Sequence, residues 1–324
     1  MKESNEAMKP SCNMQQISRR GFLKGFAALA GSVVAAGLVT TPEKVFAEAP
    51  AGSADGWGML TDFTRCAGCR RCEVACNQAN KLPSPDKSFT DESVFEETRR
   101  PTAGAFTVVN RYDNPNGSKP IYRKVQCNHC QEPACASACL VGALKKSPEG
   151  PVTYNQDVCI GCRYCMVACP FHIPAYDYHS ALEPKVQKCT MCAGRIAQGL
   201  VPACAEACPM EAITFGKRSQ LIAIARDRIR NEPNRYQDHI YGEREAGGTS
   251  WLYLSSVPFE QLGFPSMKEV GTTAYPEYTK DFLSMVPLVL VGWPTLFGGI
   301  YMMTKGRDKA EEAATAHSEN EEDR

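Results

Sequence analysis

The sequence has no excess of charge of either sign, with 36 lysines and arginines against 36 aspartates and glutamates. A balanced chain has no bulk attraction to nucleic acid. It also lacks a phosphate-binding loop and an obvious nucleophile–base set, and once its cysteines are placed it has no room for a pterin or nickel active-site domain. These absences assign turnover to partners. What the chain has in excess is cysteine: 17 residues, of which sixteen fall into four quartets and Cys12 stands alone. That arithmetic suggests four sites of four ligands.

Two long uncharged runs lie near the two ends. The first follows Arg19 and Arg20 in "SRRGFLKGFAALAGSVVAAGLVT" and closes on the small residues of "VFAEA". No polar face interrupts it, so residues 1–47 read as a twin-arginine export signal rather than an amphipathic helix. Cleavage fits after Ala47, with Ala49 second because Pro50 follows it, and Cys12 leaves with the signal. The twin-arginine route carries folded cargo, so metal clusters can be built in the reducing cytoplasm and export does not oblige the cysteines to form disulfides. The second run, Phe282 to Met303, is 22 residues without a charge, roughly 33 Å as a helix and enough to cross a bilayer. Its length and the flanking charges Asp281 and Lys305 argue against a buried globular helix. Lys305, Arg307 and Lys309 follow it whereas Lys280 alone precedes it as closely, which puts the charged tail 304–324 in the cytoplasm. Both signals place the body of the protein on the periplasmic face of the inner membrane.

Between these ends, 48–56 reads as an Ala-, Gly- and Ser-rich linker and 57–216 as one cysteine-bearing block. Within it, 82–120 is a polar insertion punctuated by Pro, Gly and Asp, read as surface loop with one short strand at "AFTVVNRY". Residues 217–278 comprise a helix plus an extended wrap. Ser219 is the expected cap of the helix, with Leu221, Ile222, Ala225 and Ile229 on its apolar face, and "WLYLSSVPF" is the expected strand. The last twenty residues are charged and unpatterned, which predicts disorder.

The quartets have distinctive spacing. Cys66, Cys69, Cys72 and Cys76 follow C-x2-C-x2-C-x3-C; Cys127, Cys130, Cys135 and Cys139 follow C-x2-C-x4-C-x3-C. Cys159, Cys162, Cys165 and Cys169 repeat the first pattern with Pro170 behind it, and Cys189, Cys192, Cys204 and Cys208 are split by eleven residues. The third quartet is the bacterial ferredoxin run, in which three close thiolates hold one iron–sulfur cube and the fourth serves a neighbour. Two-residue gaps let adjacent thiolates reach different irons, and small residues such as Gly68, Gly161 and Ala168 let backbone N–H groups approach the sulfurs. Crowded C-x-x-C units bridge poorly as disulfides. Four-cysteine zinc sites usually join two knuckles across a longer loop, which the first and third quartets do not do.

Sequence distance suggests how fourth ligands are exchanged. "LVGALKKSPEGPVTYNQDV", residues 140–158, resembles the strand–turn–strand joining the halves of a two-cluster ferredoxin. The inner pair, 127–170, then has Cys127, Cys130 and Cys135 with Cys169, and Cys159, Cys162 and Cys165 with Cys139. The outer pair, 57–80 with 185–216, follows by exclusion: Cys66, Cys69 and Cys72 with Cys208, and Cys189, Cys192 and Cys204 with Cys76. Arg70, Arg71, Arg163 and Lys188 sit beside ligands, where positive charge favours a reduced cluster. His129 and His172 read as packing or surface residues.

The four quartets in this order, the twin-arginine signal, "HIYGEREAGGTSWLYLSSVPFEQLGFP" and one C-terminal anchor resemble the four-cluster iron–sulfur subunits of the dimethyl sulfoxide reductase family. They look most like the HybA-type periplasmic subunits of membrane-bound uptake nickel–iron hydrogenases. The resemblance spans Ser18 to about Met303. It implies an α+β fold with two pseudo-symmetric ferredoxin-like domains, a C-terminal transmembrane helix and four 4Fe-4S clusters. It further implies electron transfer in anaerobic respiration, between a catalytic partner (hydrogenase small and large subunits) and a multi-span quinone-handling membrane subunit. The beta subunit of a formate dehydrogenase, working with a molybdopterin catalytic subunit, is the nearest rival, and a structural zinc protein the rival of another class.

Overall fold

In the computed structural model the strand Trp57–Asp62 organises the body of the chain. The structure describes residues 55–322 except 116, 118 and 179–184, with side chains as far as Lys305. The expected export signal, its cleavage site, Cys12 and most of the linker lie outside these residues. In chain order the elements are β1 (Trp57–Asp62), α1 (Arg71–Asn80), β2 (Val108–Tyr112), β3 (Ile121–Val125), α2 (Ala134–Ser137), β4 (Leu144–Lys146), β5 (Val152–Tyr154) and α3 (Tyr164–Ala168). There follow β6 (Ala175–Tyr176), β7 (Val186–Gln187), α4 (Ala193–Ile196), α5 (Ala203–Glu206), β8 (Ile213–Lys217), α6 (Arg218–Asn231), β9 (Trp251–Leu254), α7 (Met267–Val270) and α8 (Glu277–Glu322).

β1 is central in a three-stranded sheet, antiparallel to β8 and parallel to β9. The register pairs Trp57 with Lys217 and Thr61 with Ile213, and on the other side Met59 with Trp251. All four residues of β9 are buried, as expected of a strand covered on both faces. The expected strand at "WLYL" therefore forms, and it lies in the core. Leu60, Leu252 and Leu254 pack with Leu221 and Ala225 of α6, the face the helical spacing predicts. The start of that helix differs from expectation. β8 runs straight into α6, so Lys217 occupies the cap position, and the Ser219 hydroxyl instead donates to the Asp55 carboxylate.

The helices of the cysteine block are short, four to ten residues. Helices of that length do not hold themselves together in water, so their position depends on what they pack against. β4 and β5 form the expected hairpin, pairing Leu144 with Tyr154 and Lys146 with Val152. Its turn is set against β1: the Trp57 N–H donates to the Glu149 carbonyl at 2.7 Å. Gly150, at φ 119°, lies so close that a Cβ would stand 2.3 Å from the Trp57 oxygen.

In the 82–120 insertion the expected strand forms within "AFTVVNRY" as β2, and the segment is more buried than a surface loop. β2 pairs with β3, and Val94, Phe106, Val108 and Val109 are buried. Glu73 of α1 anchors the insertion, because its carboxylate accepts from Arg99 at 2.7 Å, from Arg70 at 3.0 Å and from the Val109 N–H at 2.6 Å. Arg70 also donates to the carbonyls of Ser88, Phe89 and Asp91.

Glu277–Lys305 is long and apolar enough to cross a membrane, and 6% of its apolar window is buried. Pro287 and Pro294 stand inside the helix. The helix continues to Glu322 through the tail in which disorder is expected. Alanine, glutamate and lysine in "KAEEAATAHSENEE" favour helix even without an apolar face. Replacing Glu73 by Gln strands a buried guanidinium, so the unfolding midpoint of the holoprotein is expected to fall by the equivalent of about 3–5 kcal/mol. An unchanged midpoint in a denaturant titration would show that the insertion is held elsewhere.

Candidate metal centres

Each quartet opens with the same local backbone. The residue before the second cysteine is left-handed in all four: Gly68 at φ 72°, His129 at 49°, Gly161 at 66° and Met191 at 52°. Arg70 and Arg163, after the second cysteine of the first and third quartets, are left-handed too. Alternating the hand of successive residues turns their N–H groups inward and builds a concave anion-binding surface. The N–H of Met191 points at Cys189 Sγ, 3.3 Å away, and that of Ala143 at Cys139 Sγ, 3.2 Å away. Glycine is essential at only some of these turns. At Gly68 a Cβ would meet the Tyr122 ring at 2.4 Å, whereas His129 and Met191 take the same conformation with side chains.

The cysteines of the quartets are free thiols. One space is lined by Cys66, Cys69, Cys72 and Cys208, and a second by Cys76, Cys189, Cys192 and Cys204. In the inner block, the expected partners are neighbours of Cys130 and Cys165. Burial chiefly raises the Cys130 thiol, and Cys169, Cys127 and Cys135 add to the rise. The Cys165 thiol is pushed up to about 11 by burial, then by Cys159, Cys139 and Cys162. The four groups also neighbour one another in turn. Cys204 acts on Cys72, Cys127 on Cys189, and Cys165 on Cys135. Cys69 in the first group and Cys162 in the last are exposed, and the other quartet cysteines are buried or half-buried.

Burial raises most of these thiols, Cys66 to about 11 and Cys76 to about 12. A buried thiol becomes a thiolate when a metal replaces its proton. Among the described residues no three His, Cys, Asp or Glu side chains converge as a single metal ion requires. The sulfurs stand around spaces rather than around one point, an arrangement suited to a polynuclear iron–sulfur group. Free thiols, inward N–H groups and shared quartets all fit such a group.

Three buried lysines lie among the quartets: Lys124, Lys146 and Lys188, each 3% exposed or less. Lys146 donates to the carbonyls of His129, Cys130 and Gly150 and to the Ser250 hydroxyl. Lys188 donates to the carbonyls of Val152 and Cys189. Of the cations singled out from sequence, only Lys188 is a buried charge free of an ion pair among the described residues. Arg70 is buried but bound to Glu73, Arg71 is exposed, and Arg163 is exposed with its guanidinium 5.1 Å from the centre of the Tyr176 ring. Lys124 and Lys146 do not adjoin a cysteine, and only the strand pairings bring them inward.

His129 is a packing residue, as expected. Its Nδ1 accepts from the Val152 N–H at 2.9 Å, and burial, then the ammonium groups of Lys188, Lys146 and Lys124, hold the ring neutral. His172 is exposed. The segment 193–203 opens as α4, with Ile196 buried and most of the remainder at the surface.

Residues 65–143 and 119–218 each match a 4Fe-4S dicluster domain family. A protein of Nitratidesulfovibrio vulgaris is 52% identical over 304 residues, covering 93% of this chain and 81% of its own. The hydrogenase-2 operon protein HybA of Escherichia coli O157:H7 is 34% identical over 315 residues, covering 86% and 94%. The formate dehydrogenase-O iron-sulfur subunit of Escherichia coli K12 is 31% identical over 276 residues, covering 82% and 89%. Two dicluster domains amount to four 4Fe-4S clusters. The chain therefore belongs to the family of four-cluster, ferredoxin-like iron–sulfur electron-transfer subunits that includes HybA and the formate dehydrogenase iron-sulfur subunits.

Proposed function

We propose that this protein is the electron relay of a membrane-bound respiratory complex on the periplasmic face of the inner membrane. It joins the small and large subunits of an uptake nickel–iron hydrogenase to a multi-span membrane subunit that handles quinone. One observation carries the reading: the four cysteine groups follow one another from exposed Cys69 to exposed Cys162, with the intervening thiols buried or half-buried. A file of redox groups open at both ends suits passage between two partners. The chain itself is the non-catalytic subunit.

The ligand sets proposed are Cys66, Cys69, Cys72 and Cys208; Cys76, Cys189, Cys192 and Cys204; Cys127, Cys130, Cys135 and Cys169; and Cys139, Cys159, Cys162 and Cys165. When bound, each 4Fe-4S group supplies one-electron chemistry at a potential set by charge, burial and hydrogen bonds to sulfur. The protein excludes water from the middle of the file, aims backbone N–H groups at sulfur and supplies buried ammonium groups. The apolar helix within Glu277–Lys305 anchors the body, and the lysines and arginine after it favour a cytoplasmic tail. The formate dehydrogenase relatives support a second reading in which the catalytic partner is a molybdopterin subunit.

Replacing Cys208 by Ser is expected to abolish or convert the paramagnetic centre held by Cys66, Cys69 and Cys72. Loss of the centre held by Cys189 and Cys192 instead would overturn the ligand exchange. Purification from membranes in mild detergent is expected to bring down the nickel–iron large subunit together with a multi-span partner. Recovery of a molybdopterin subunit selects the second reading, and recovery of a colourless zinc protein sinks both.

A further inference from the structure

Lys124 is the one described residue that lines both outer thiol spaces, the one around Cys66, Cys69, Cys72 and Cys208 and the one around Cys76, Cys189, Cys192 and Cys204. It lies on β3, whose pairing with β2 turns its side chain inward, leaving it 2% exposed. Its ammonium donates to Thr107 Oγ1 at 2.7 Å and to Gln126 Oε1 at 3.2 Å, and stands 4.8 Å from the centre of the Trp251 ring. An ammonium has three N–H donors, and neither of these acceptors carries charge. Among the described residues Lys124 forms no ion pair with a carboxylate. A buried cation without a counter-charge is unfavourable, so such groups are normally paired.

The charge partners at hand are sulfur. Cys76, Cys189 and Cys204 line one space with Lys124, and Cys72 lines the other with it. They come from both spaces, and Cys72 and Cys76 lie one turn apart on α1, with Lys124 reaching both. A 4Fe-4S group held by four thiolates is an anion, and more so when reduced. One cation set between two such groups stabilises the reduced form of each.

We propose that Lys124 is a shared positioning charge for the two outer clusters, raising the reduction potential of both. The proposal rests on the ligand sets given above. Lys146 differs in having three carbonyls and a hydroxyl around its ammonium, so its donors are taken up by the protein. Lys124 has fewer protein acceptors than donors and faces two spaces.

The test is an EPR-monitored redox titration of the detergent-purified complex containing full-length chain, as wild type, Lys124→Met and Lys124→Arg. Methionine keeps most of the side-chain length and removes the charge; arginine keeps the charge. In Lys124→Met both outer midpoints are expected to fall, corresponding to at least a tenfold less favourable one-electron reduction, about 59 mV. The inner two are expected to move less, and Lys124→Arg to recover most of the loss. Unchanged outer midpoints, a shift in only one of them, or an equal shift in all four would overturn the proposal. If Lys124→Met fails to assemble the outer clusters, assembly in Lys124→Arg supports a requirement for charge, and failure in both overturns it in favour of a purely steric role. Iron content and the wild-type EPR signals are read first. Absence of four clusters there would refute the relay reading itself, a result distinct from every outcome for Lys124.

Discussion

The ladder between Trp57–Asp62 and Ile213–Lys217 is the contact on which the rest depends. It brings the first quartet beside the fourth, although the second and third lie between them in sequence. Closing so long a loop is entropically unfavourable, and the third strand helps to secure it. The indole N–H of Trp251 donates to Thr61 Oγ1 at 2.8 Å from a residue with no exposed surface. The same segment reaches the second quartet, since Tyr253 accepts from Gln126 and donates to Asn128, both at 2.6 Å, and the Ser250 N–H donates to the His129 carbonyl. The wrap after α6 thus ties the outer cysteine pair to the inner one.

Burial of so much sulfur has an electrostatic consequence. Thiols removed from water resist ionisation, and thiolates need a metal or a positive charge nearby. This fold supplies positive charge from the partial charges of backbone N–H groups and from lysine. A left-handed residue stands before the second cysteine of each quartet, the Met191 N–H points at the Cys189 sulfur, and Lys124, Lys146 and Lys188 lie buried among the four groups. The carboxylate of Glu73, the residue after Cys72, is already committed to Arg70 and Arg99. Its negative charge is therefore largely neutralised locally, while it fixes the insertion that carries β2 to β3 and so places Lys124.

Much of the site was legible because ligand chemistry imposes spacing. Three thiolates on one small cube must be close in sequence or carried on one turn, and the C-x2-C-x2-C-x3-C runs state this directly. The hairpin of 140–158 was legible from its likeness to the strand–turn–strand of a two-cluster ferredoxin, and the apolar face of α6 from its period. The cap of α6 was not, because Ser219 is a good cap only if the chain before it is free to turn, and β8 occupies that chain. The strand of the insertion was legible in "AFTVVNRY", where β2 forms, but its burial was not. The insertion's polar composition describes most of Leu82 to Thr98, yet Val94 is buried there, and Phe106, Val108 and Val109 lie in the core where β2 pairs with β3.

The sequence alone determined the ligand chemistry: sixteen cysteines in four closely spaced quartets, and an apolar run long enough for a bilayer. These follow from local rules of ligand reach and helix length, which act over a few residues. Tertiary structure decided which charges matter. Arg70 and Arg163 adjoin cysteines in sequence, but one is neutralised by Glu73 and the other is exposed to solvent. Lys124 adjoins none, yet strand pairing carries it to the boundary of two thiol spaces. Electrostatic influence depends on distance and dielectric in three dimensions, and neither can be read from separation along the chain.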